Sequence, residues 1–362
     1  MGLPRSIDKW LLPYLLRKRN KCAPPEHIIL TICDHFEPFH KAQLPTAITR
    51  VQKWREMYVH HTERFHDSSG TPPRHTFFYP IEQYNEEVVS LIADLCSVTG
   101  CEAEIHLHHD NDTPENLLKT LSAGKAALAR HRLLSMDHSG NIVFGFIHGN
   151  WALADCDPRG INCGVPDELQ VLQRAGCYAD FTMPSAPHPT QSKSINGIYY
   201  SAADAIKPLE NGHLSAVNSP KRRGLLMVQG PLGLNWEKRK WGLLPRIENG
   251  SLTAANPPTL KRMKLWENMK IQVSGLDQWT FIKLYTHGAL PVNQAMLLGK
   301  PMAEFYKAID GLTLSESTPK VHYATAREMV NMIHAAEDSM TGSPDDYRNY
   351  RYRSIMHCPV KN

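Results

Sequence analysis

The chain has 362 residues, 42% hydrophobic and 21% charged, enough to bury a large core and too apolar for a disordered chain. Lys and Arg (40) against Asp and Glu (36) leave a net charge of +4, spread along the sequence, which excludes the extended basic stripe of a nucleic-acid-binding protein. The 19 histidines are a high share for a residue that is both the commonest metal ligand and the side chain that titrates near neutral pH.

Residues 1–26 read as an apolar and basic segment. Trp10 to Leu16 precedes Arg17-Lys18-Arg19-Asn20-Lys21, the reverse of the order in a signal peptide, and neither this run nor any later one reaches the length of a membrane-spanning helix. A cytoplasmic protein is expected, with this segment either packed on the body of the protein or in peripheral contact with an anionic membrane surface. The eight cysteines form no C-x-x-C pair and several lie in apolar runs, so they read as buried thiols in a reducing compartment.

From residue 27 onward, short β-rich runs alternate with stretches of helical spacing. The runs are 27–33, 75–79, 103–108, 142–147, 180–183, 224–228 and 281–286. The helices are clearest at 43–65, 85–97, 115–132, 166–175, 258–273 and 292–309. This alternation predicts an α/β fold with a parallel sheet, and its near-regular recurrence a distorted (β/α)7-8 barrel over residues 27–320. Asn211-Gly212, Ser219-Pro220, Asn249-Gly250 and Pro257-Pro258 mark 186–275 as a loop-rich insertion over the barrel mouth. Residues 321–362 are expected to hold a helix at 324–337 and a polar tail. Neither G-x-G-x-x-G nor G-x-x-x-x-G-K-[ST] occurs, which argues against dinucleotide and P-loop nucleotide binding.

Active sites on parallel sheets form at the carboxyl ends of the strands, so the residues ending each run are the candidates. They are Asp34-His35-Phe36-Glu37, His106-Leu107-His108-His109-Asp110-Asn111-Asp112, His148-Gly149-Asn150-Trp151, Asp180 and Tyr285-Thr286-His287. His106 and His108, two apart on a strand, place both imidazoles on one face about 7 Å apart, so two ligands can converge on one ion. With Asp34 from a neighbouring strand they make a two-His, one-carboxylate set suited to Zn²⁺, or to Co, Ni, Fe or Mn. The competing reading of HLHHDND is a solvated strand end and helix cap. It fits Thr113 and Pro114 but leaves three histidines and two aspartates in seven residues without a purpose.

Trp151 and Tyr285, with Tyr178, Tyr199, Tyr200, Trp236 and Trp241, offer faces on which a sugar ring can stack, although core packing is the commoner use of such residues. Asn150 and Asp180 are candidates to bind substrate hydroxyls, Asp180 reading equally well as a cap. The basic runs Lys221-Arg222-Arg223 and Lys238-Arg239-Lys240 read as solvated loop surface.

In the order of these motifs the chain resembles the polysaccharide deacetylases of the nodulation type, carbohydrate esterase family 4. Thr31-Ile32-Cys33-Asp34-His35 lies over that family's T-F-D-D-G, which puts Asp34 on its metal-binding Asp and Cys33 where its catalytic base stands. Glu104-Ile105 lies over its E-I-G strand, and the following H-x-x-x-H places His108 on the first His and Asp112 on the second. Gly149-Asn150-Trp151-Ala152 stands at its R-x-P-Y motif without the Arg, and Tyr285-Thr286-His287 at its L-x-H. The resemblance spans about residues 27–290. By this resemblance the ligands are Asp34, His108 and Asp112; by spacing alone they are Asp34, His106 and His108.

The resemblance implies a distorted barrel of the deacetylase type, a Zn²⁺-like cation, and hydrolysis of the N-acetyl group of an amino sugar, nucleotide- or lipid-linked, in surface-polysaccharide assembly. On that reading a carboxylate or imidazole among Asp110, Glu37 and His35 takes the proton from water, and His287 donates to the leaving amine. Two other classes compete. One is a different metal hydrolase on a barrel, an amidohydrolase or phosphoesterase; the other is a catalytically degenerate barrel that binds a glycan or scaffolds an assembly complex.

Overall fold

A computed structural model of the chain describes residues 4–17, 24–202, 209–210, 212–220, 222–313 and 319–357. The expected parallel strands are present. β1 (His27–His35) alternates strictly: Ile28, Leu30 and Ile32 enter a core shared with the surrounding helices, while Ile29 and Cys33 enter a second core on the opposite face. Because both faces are covered, HIILTIC reads as a continuous apolar run rather than an alternating one.

β2 (Thr76–Pro80), β3 (Glu102–Leu107), β4 (Ile142–His148), β5 (Cys177–Asp180), β6 (Leu226–Val228), β7 (Trp279–Thr286) and β8 (Lys320–Tyr323) complete the parallel set. Their order is β7-β1-β2-β3-β4-β5-β6, and β8 pairs the first half of β1 while β2 pairs its end. Antiparallel strands Ile198–Ser201 and Gly212–Leu214 extend the sheet beyond β6. Among the described residues the ladder stays open, so the expected ring of strands is not closed by backbone pairing. A side chain bridges part of the gap: Lys283 of β7 donates from its buried ammonium to Phe181 O (2.5 Å) and Met183 O (2.8 Å), just beyond β5.

The helices are α1 (Ile7–Leu16), α2 (Leu44–Arg64), α3 (Glu86–Thr99), α4 (Pro114–Arg130), α5 (Glu168–Ala175), α6 (Leu260–Glu267), α7 (Pro291–Leu297), α8 (Lys300–Thr313) and α9 (Ala326–Glu337). None of the described helices is long and apolar enough to cross a membrane. Thr113 caps α4 through Asn116 N, with Pro114 in the first turn. The stretch expected as one helix at 292–309 is two, because Pro301 has no N–H to donate to the Leu297 carbonyl in a continuous helix. The helix expected to run to 273 ends at Glu267, and Lys270 takes a left-handed φ of 51°. The run expected at 180–183 is shifted: the strand is Cys177–Asp180, and Asp180 ends it.

The C-terminal helix α9 is buried along its whole length, with Met329, Val330 and Ile333 in the same core as Ile29, Cys33, Phe78 and Phe281. A capping box of Thr325 and Glu328 starts it. Its Arg327 is paired with Glu102 at the start of β3 and also donates to Arg348 O and Tyr352 O. The polar stretch that follows is therefore tied to the body of the protein. One core of the sheet is thus shared with α2 to α8, and the other with α1 and α9.

Within 186–275 a hairpin, Gly233–Lys240 with Leu244–Glu248, exposes Trp236, Trp241, Leu243 and Leu244. It is anchored by Glu248, which accepts from Arg262 (2.7 Å) and Trp266 Nε1 (3.0 Å). The chain then reaches the carboxyl end of β7, where Leu252 N donates to Tyr285 O (2.8 Å).

Wholly buried on the α9 side, Glu104 accepts from Tyr178 Oη (2.5 Å) and Gly145 N (2.6 Å). Burial, only partly offset by those bonds, pushes its carboxyl up to about 8. The folded chain then keeps a proton that the unfolded chain loses, so stability falls as pH rises from 4.5, the ordinary value, to about 8. The slope is at most about 1.4 kcal/mol per pH unit. Glu104→Gln, isosteric with the protonated acid, is expected to flatten that decline in denaturant melts taken between these limits.

Candidate metal centre

Parallel strands deliver their last residues to one end of the sheet. His35 comes from β1, His106 from β3 and His287 from the turn after β7, while Glu37 lies two residues past the end of β1 and His108 directly after β3. The Glu37 carboxylate lies between them. Its Oε1 is 3.4 Å from His106 Nε2 and 3.5 Å from His108 Nε2, and these three groups lie within 4.8 Å of one another. His35 and His287 form a second set with the same carboxylate, also within 4.8 Å, their rings 4.8 Å apart.

The hydrogen bonds behind the rings fix which nitrogen faces the centre. His106 Nδ1 donates to Ile147 O (2.8 Å), so its buried Nε2 carries a lone pair and has no hydrogen-bond partner. His108 Nδ1 bonds Glu82 Oε1 (2.7 Å), again leaving Nε2 toward Glu37. A carboxylate behind a histidine that turns its other nitrogen to a shared point is the outer-shell pattern of metal sites. Two imidazole nitrogens and one carboxylate oxygen fit a divalent first-row ion, and the orphaned His106 Nε2 is the atom such an ion would satisfy.

Burial raises the Glu37 carboxyl, but the contact with His106 and the nearby imidazoles outweigh it, and the group is held at about 2. Burial, reinforced by the neighbouring imidazoles, holds His35 well below its ordinary value. His287 is also lowered by burial, against the pull of Glu37 and Asp34. Both are neutral imidazoles near pH 7, able to accept a proton. Burial lowers His108 too, but Glu82 and Glu37 raise it further, and the net shift is upward.

Between the two third ligands left open by the sequence, His106 is the one that converges with His108. Asp112 is turned away: Oδ1 accepts from Thr113 N (2.8 Å) and Asn116 Nδ2 (2.6 Å), and Oδ2 lies 3.1 Å from His109 Nδ1. Asp34 is not part of the converging set. It is wholly buried, accepting from Gly288 N (2.6 Å) and His75 Nε2 (2.8 Å), and the carboxylate at the centre is Glu37 instead. Asp110 accepts from Asn162 N (2.6 Å), a loop tie rather than a proton-transfer position.

Trp151 lies with its ring 6.2 Å from His35 and 6.4 Å from His287, and Tyr285 lies 5.8 Å from His35, so both rings border the centre. Asn150 is exposed and reaches Asn162 Oδ1 at 3.4 Å. Asp180 is buried and accepts from Thr182 N and Oγ1, which makes it the cap of its own strand exit rather than a ligand for substrate. Tyr178, Tyr199 and Tyr200 are core residues whose hydroxyls bond Glu104, Leu209 O and Glu337, while Trp236 and Trp241 stand on the exposed hairpin. Arg222 pairs with Asp338 (2.6 Å), and Lys221 lies outside the described residues.

Cys33, which the resemblance sets over the deacetylases' catalytic base, is an inert thiol: it is wholly buried on the α9 face, and burial pushes it up to about 12. Glu82 was not among the residues singled out from the sequence. It sits in the turn Ile81–Gln83 directly after β2, so extending the strand-end search to that short strand identifies it.

Close approach at the base of the centre also fixes a glycine. A Cβ on Gly149 would lie 2.3 Å from His108 Cδ2 and 2.8 Å from Leu107 O, so only glycine lets the His108 ring lie against β4. No family model matches the chain, and no curated protein matches it in sequence, so the site is read from its own geometry.

Proposed function

We propose that the chain is a metal-dependent hydrolase whose ion is held by Glu37, His106 and His108, and that it removes the N-acetyl group of an amino sugar. The observation that carries the metal site is the buried, unpartnered Nε2 of His106, directed with His108 Nε2 at one oxygen of Glu37. The substrate class rests on the resemblance to the polysaccharide deacetylases, and an open, curved version of their barrel is compatible with the observed strand order.

When bound, the ion supplies a Lewis acid for the acyl oxygen and lowers the pKa of water at the site. His35, neutral and adjacent, accepts the proton from the attacking water. The proton that His35 takes passes to His287, its ring 4.8 Å away and beside the same Glu37 carboxylate, and from there to the leaving amine, which leaves both imidazoles neutral. Trp151 and Tyr285 border this space and offer ring faces to the sugar.

The test is acetate release from nucleotide-linked N-acetyl sugars by protein reconstituted with Zn²⁺ or Co²⁺. Turnover that a chelator abolishes and added metal restores is the expected result. Metal-loaded protein that cleaves phosphate esters but releases no acetate would replace this reading with a phosphoesterase. Metal-loaded protein inert on both would leave a glycan-binding role.

A further inference from the structure

A second group of metal-ligating side chains lies behind the first, on the other side of the β3–β4 junction. His109, His148, Cys163 and Glu168 bring one ligand atom each to within 4.8 Å of one another. Glu168 Oε1 lies 3.1 Å from His109 Nε2 and 3.6 Å from His148 Nε2, and Glu168 Oε2 lies 3.4 Å from Cys163 Sγ. Tetrahedral zinc with ordinary bond lengths separates nitrogen and oxygen ligands by about 3.3 Å and sulfur from either by about 3.5 Å. The separations from the Glu168 carboxylate are therefore close to those an ion requires, and the other pairs lie within 4.8 Å.

Two further observations point to a ligand. His148 is 0% exposed, its Nδ1 faces Gly149 O, and its Nε2 has no hydrogen-bond partner. His109 Nε2 now bonds Glu168 Oε1 (3.1 Å), and an ion between them would replace that proton, which Nδ1, 3.1 Å from Asp112 Oδ2 and without a hydrogen-bond partner, is free to carry. We infer that these four residues form a closed structural site for Zn²⁺ or a similar borderline divalent cation, separate from the centre at Glu37.

Charge supports a closed site. Binding displaces the Cys163 thiol proton to solvent, and with Glu168 ionised and both imidazoles neutral the sum is +2 − 1 − 1 = 0, so no net charge is buried. Four protein ligands leave no open position, which makes the role structural.

Position explains what the ion would do. His109 follows β3, His148 ends β4, and Cys163 and Glu168 lie at the far end of the loop that carries Trp151. That loop holds non-glycine residues in the left-handed region at Asn150, Trp151, Ala154, Asp155 and Asn162, a conformation that persists only where its surroundings impose it. An ion at this point staples both ends of the loop to β3 and holds the Trp151 ring against the histidine centre.

The site does not depend on the proposed activity, and its test reads the ion directly. Wild-type protein without a histidine tag is saturated with Co²⁺ or Zn²⁺. A thiolate-to-cobalt charge-transfer band, and one sulfur scatterer at about 2.3 Å in zinc X-ray absorption, are expected. Both should persist in Glu37→Ala, which lacks the first centre, and disappear in Cys163→Ala. Wild-type protein showing only nitrogen and oxygen scatterers, or a sulfur signal that survives in Cys163→Ala, would overturn the inference and leave His109 in a metal-free network between Asp112 and Glu168. Should Cys163→Ala fail to fold, chelated Glu37→Ala protein gives a second reading. Trypsin is then expected to cut after Arg159 at least ~10-fold faster than in the metal-loaded form, and equal rates would count against the site.

Discussion

Replacing Glu37 by Ala is expected to lower metal affinity at the first centre more than 100-fold and to reduce turnover at least ~1000-fold, because it removes an inner ligand where outer-shell losses alone cost about 10–100-fold. The substitution is a clean one, since the Glu37 side chain is 13% exposed and leaves no sealed cavity, unlike the fully buried His106. Glu82→Gln tests the outer shell. It keeps the shape of the residue behind His108 but exchanges a charged acceptor for a neutral one, and a loss of about 10–100-fold in metal affinity is expected with no change in folding. Acid should release the ion through the histidines and not through Glu37, which stays ionised down to about 2. Burial favours neutral His108, but Glu82 and Glu37 prevail and raise it above 6.5, so protons begin to compete with metal above that pH. Glu82→Gln moves that midpoint down. Metal titrations followed by calorimetry at several pH values measure all three effects, and wild-type affinity retained in Glu37→Ala would remove Glu37 from the ligand set.

The parallel α/β organisation was legible because burial on both faces imposes apolar runs, and the runs at 27–33, 75–79, 103–108 and 142–147 coincide with strands to within two residues. Missed was Lys320–Tyr323, a strand of four residues whose partner, the start of β1, lies far away in sequence. At the site, the two-residue spacing of His106 and His108 corresponds to rings 4.6 Å apart, both facing Glu37. Asp34 is suggested both by its place at a strand end and by the family pattern, but the parity of the strand turns it away from these histidines. Ile28, Leu30, Ile32 and Asp34 share one face of β1, which packs on helices, whereas Ile29, Thr31, Cys33 and His35 share the other. β3 repeats the division, with Ala103, Ile105 and Leu107 toward the helices and Glu104 and His106 opposite. On β7, Ile282 and Leu284 lie toward the helices. The more polar parity therefore marks the face that carries the site, a signal present in the sequence once three strands are compared. Glu37 lies beyond the end of β1, where strand parity no longer applies, so its inward turn required the folded chain.

That parity yields the second large effect. Asp34→Ala is expected to destabilise the protein by about 3–5 kcal/mol, a fall in melting temperature of about 4–7 °C for a chain of this length, without lowering metal content. The carboxylate is wholly buried, and its loss leaves Gly288 N and His75 Nε2 facing an empty position sealed from water. The cavity is not easily filled from outside, since Trp54 packs beside it and donates to Gly288 O (3.0 Å). A Cβ on Gly288 would come within 2.0 Å of Asp34 Oδ2, so the carboxylate and the glycine are fitted to one another. Asp34→Asn separates hydrogen bonding from charge. The amide oxygen still accepts from Gly288 N, and its NH2 can face His75 in the other tautomer, so a loss of about 1 kcal/mol is expected. If Asp34 were a metal ligand, the ranking would invert: Asp34→Asn would fold normally yet lose the ion. Metal content and thermal melts on the same two samples distinguish these outcomes. Because Gly288 follows His287 directly, Asp34→Ala should also lower turnover by loosening that imidazole, while leaving the metal in place. A carboxylate that supports the site from behind the sheet, and one three residues later that enters it, are the two roles β1 assigns to its terminal acids.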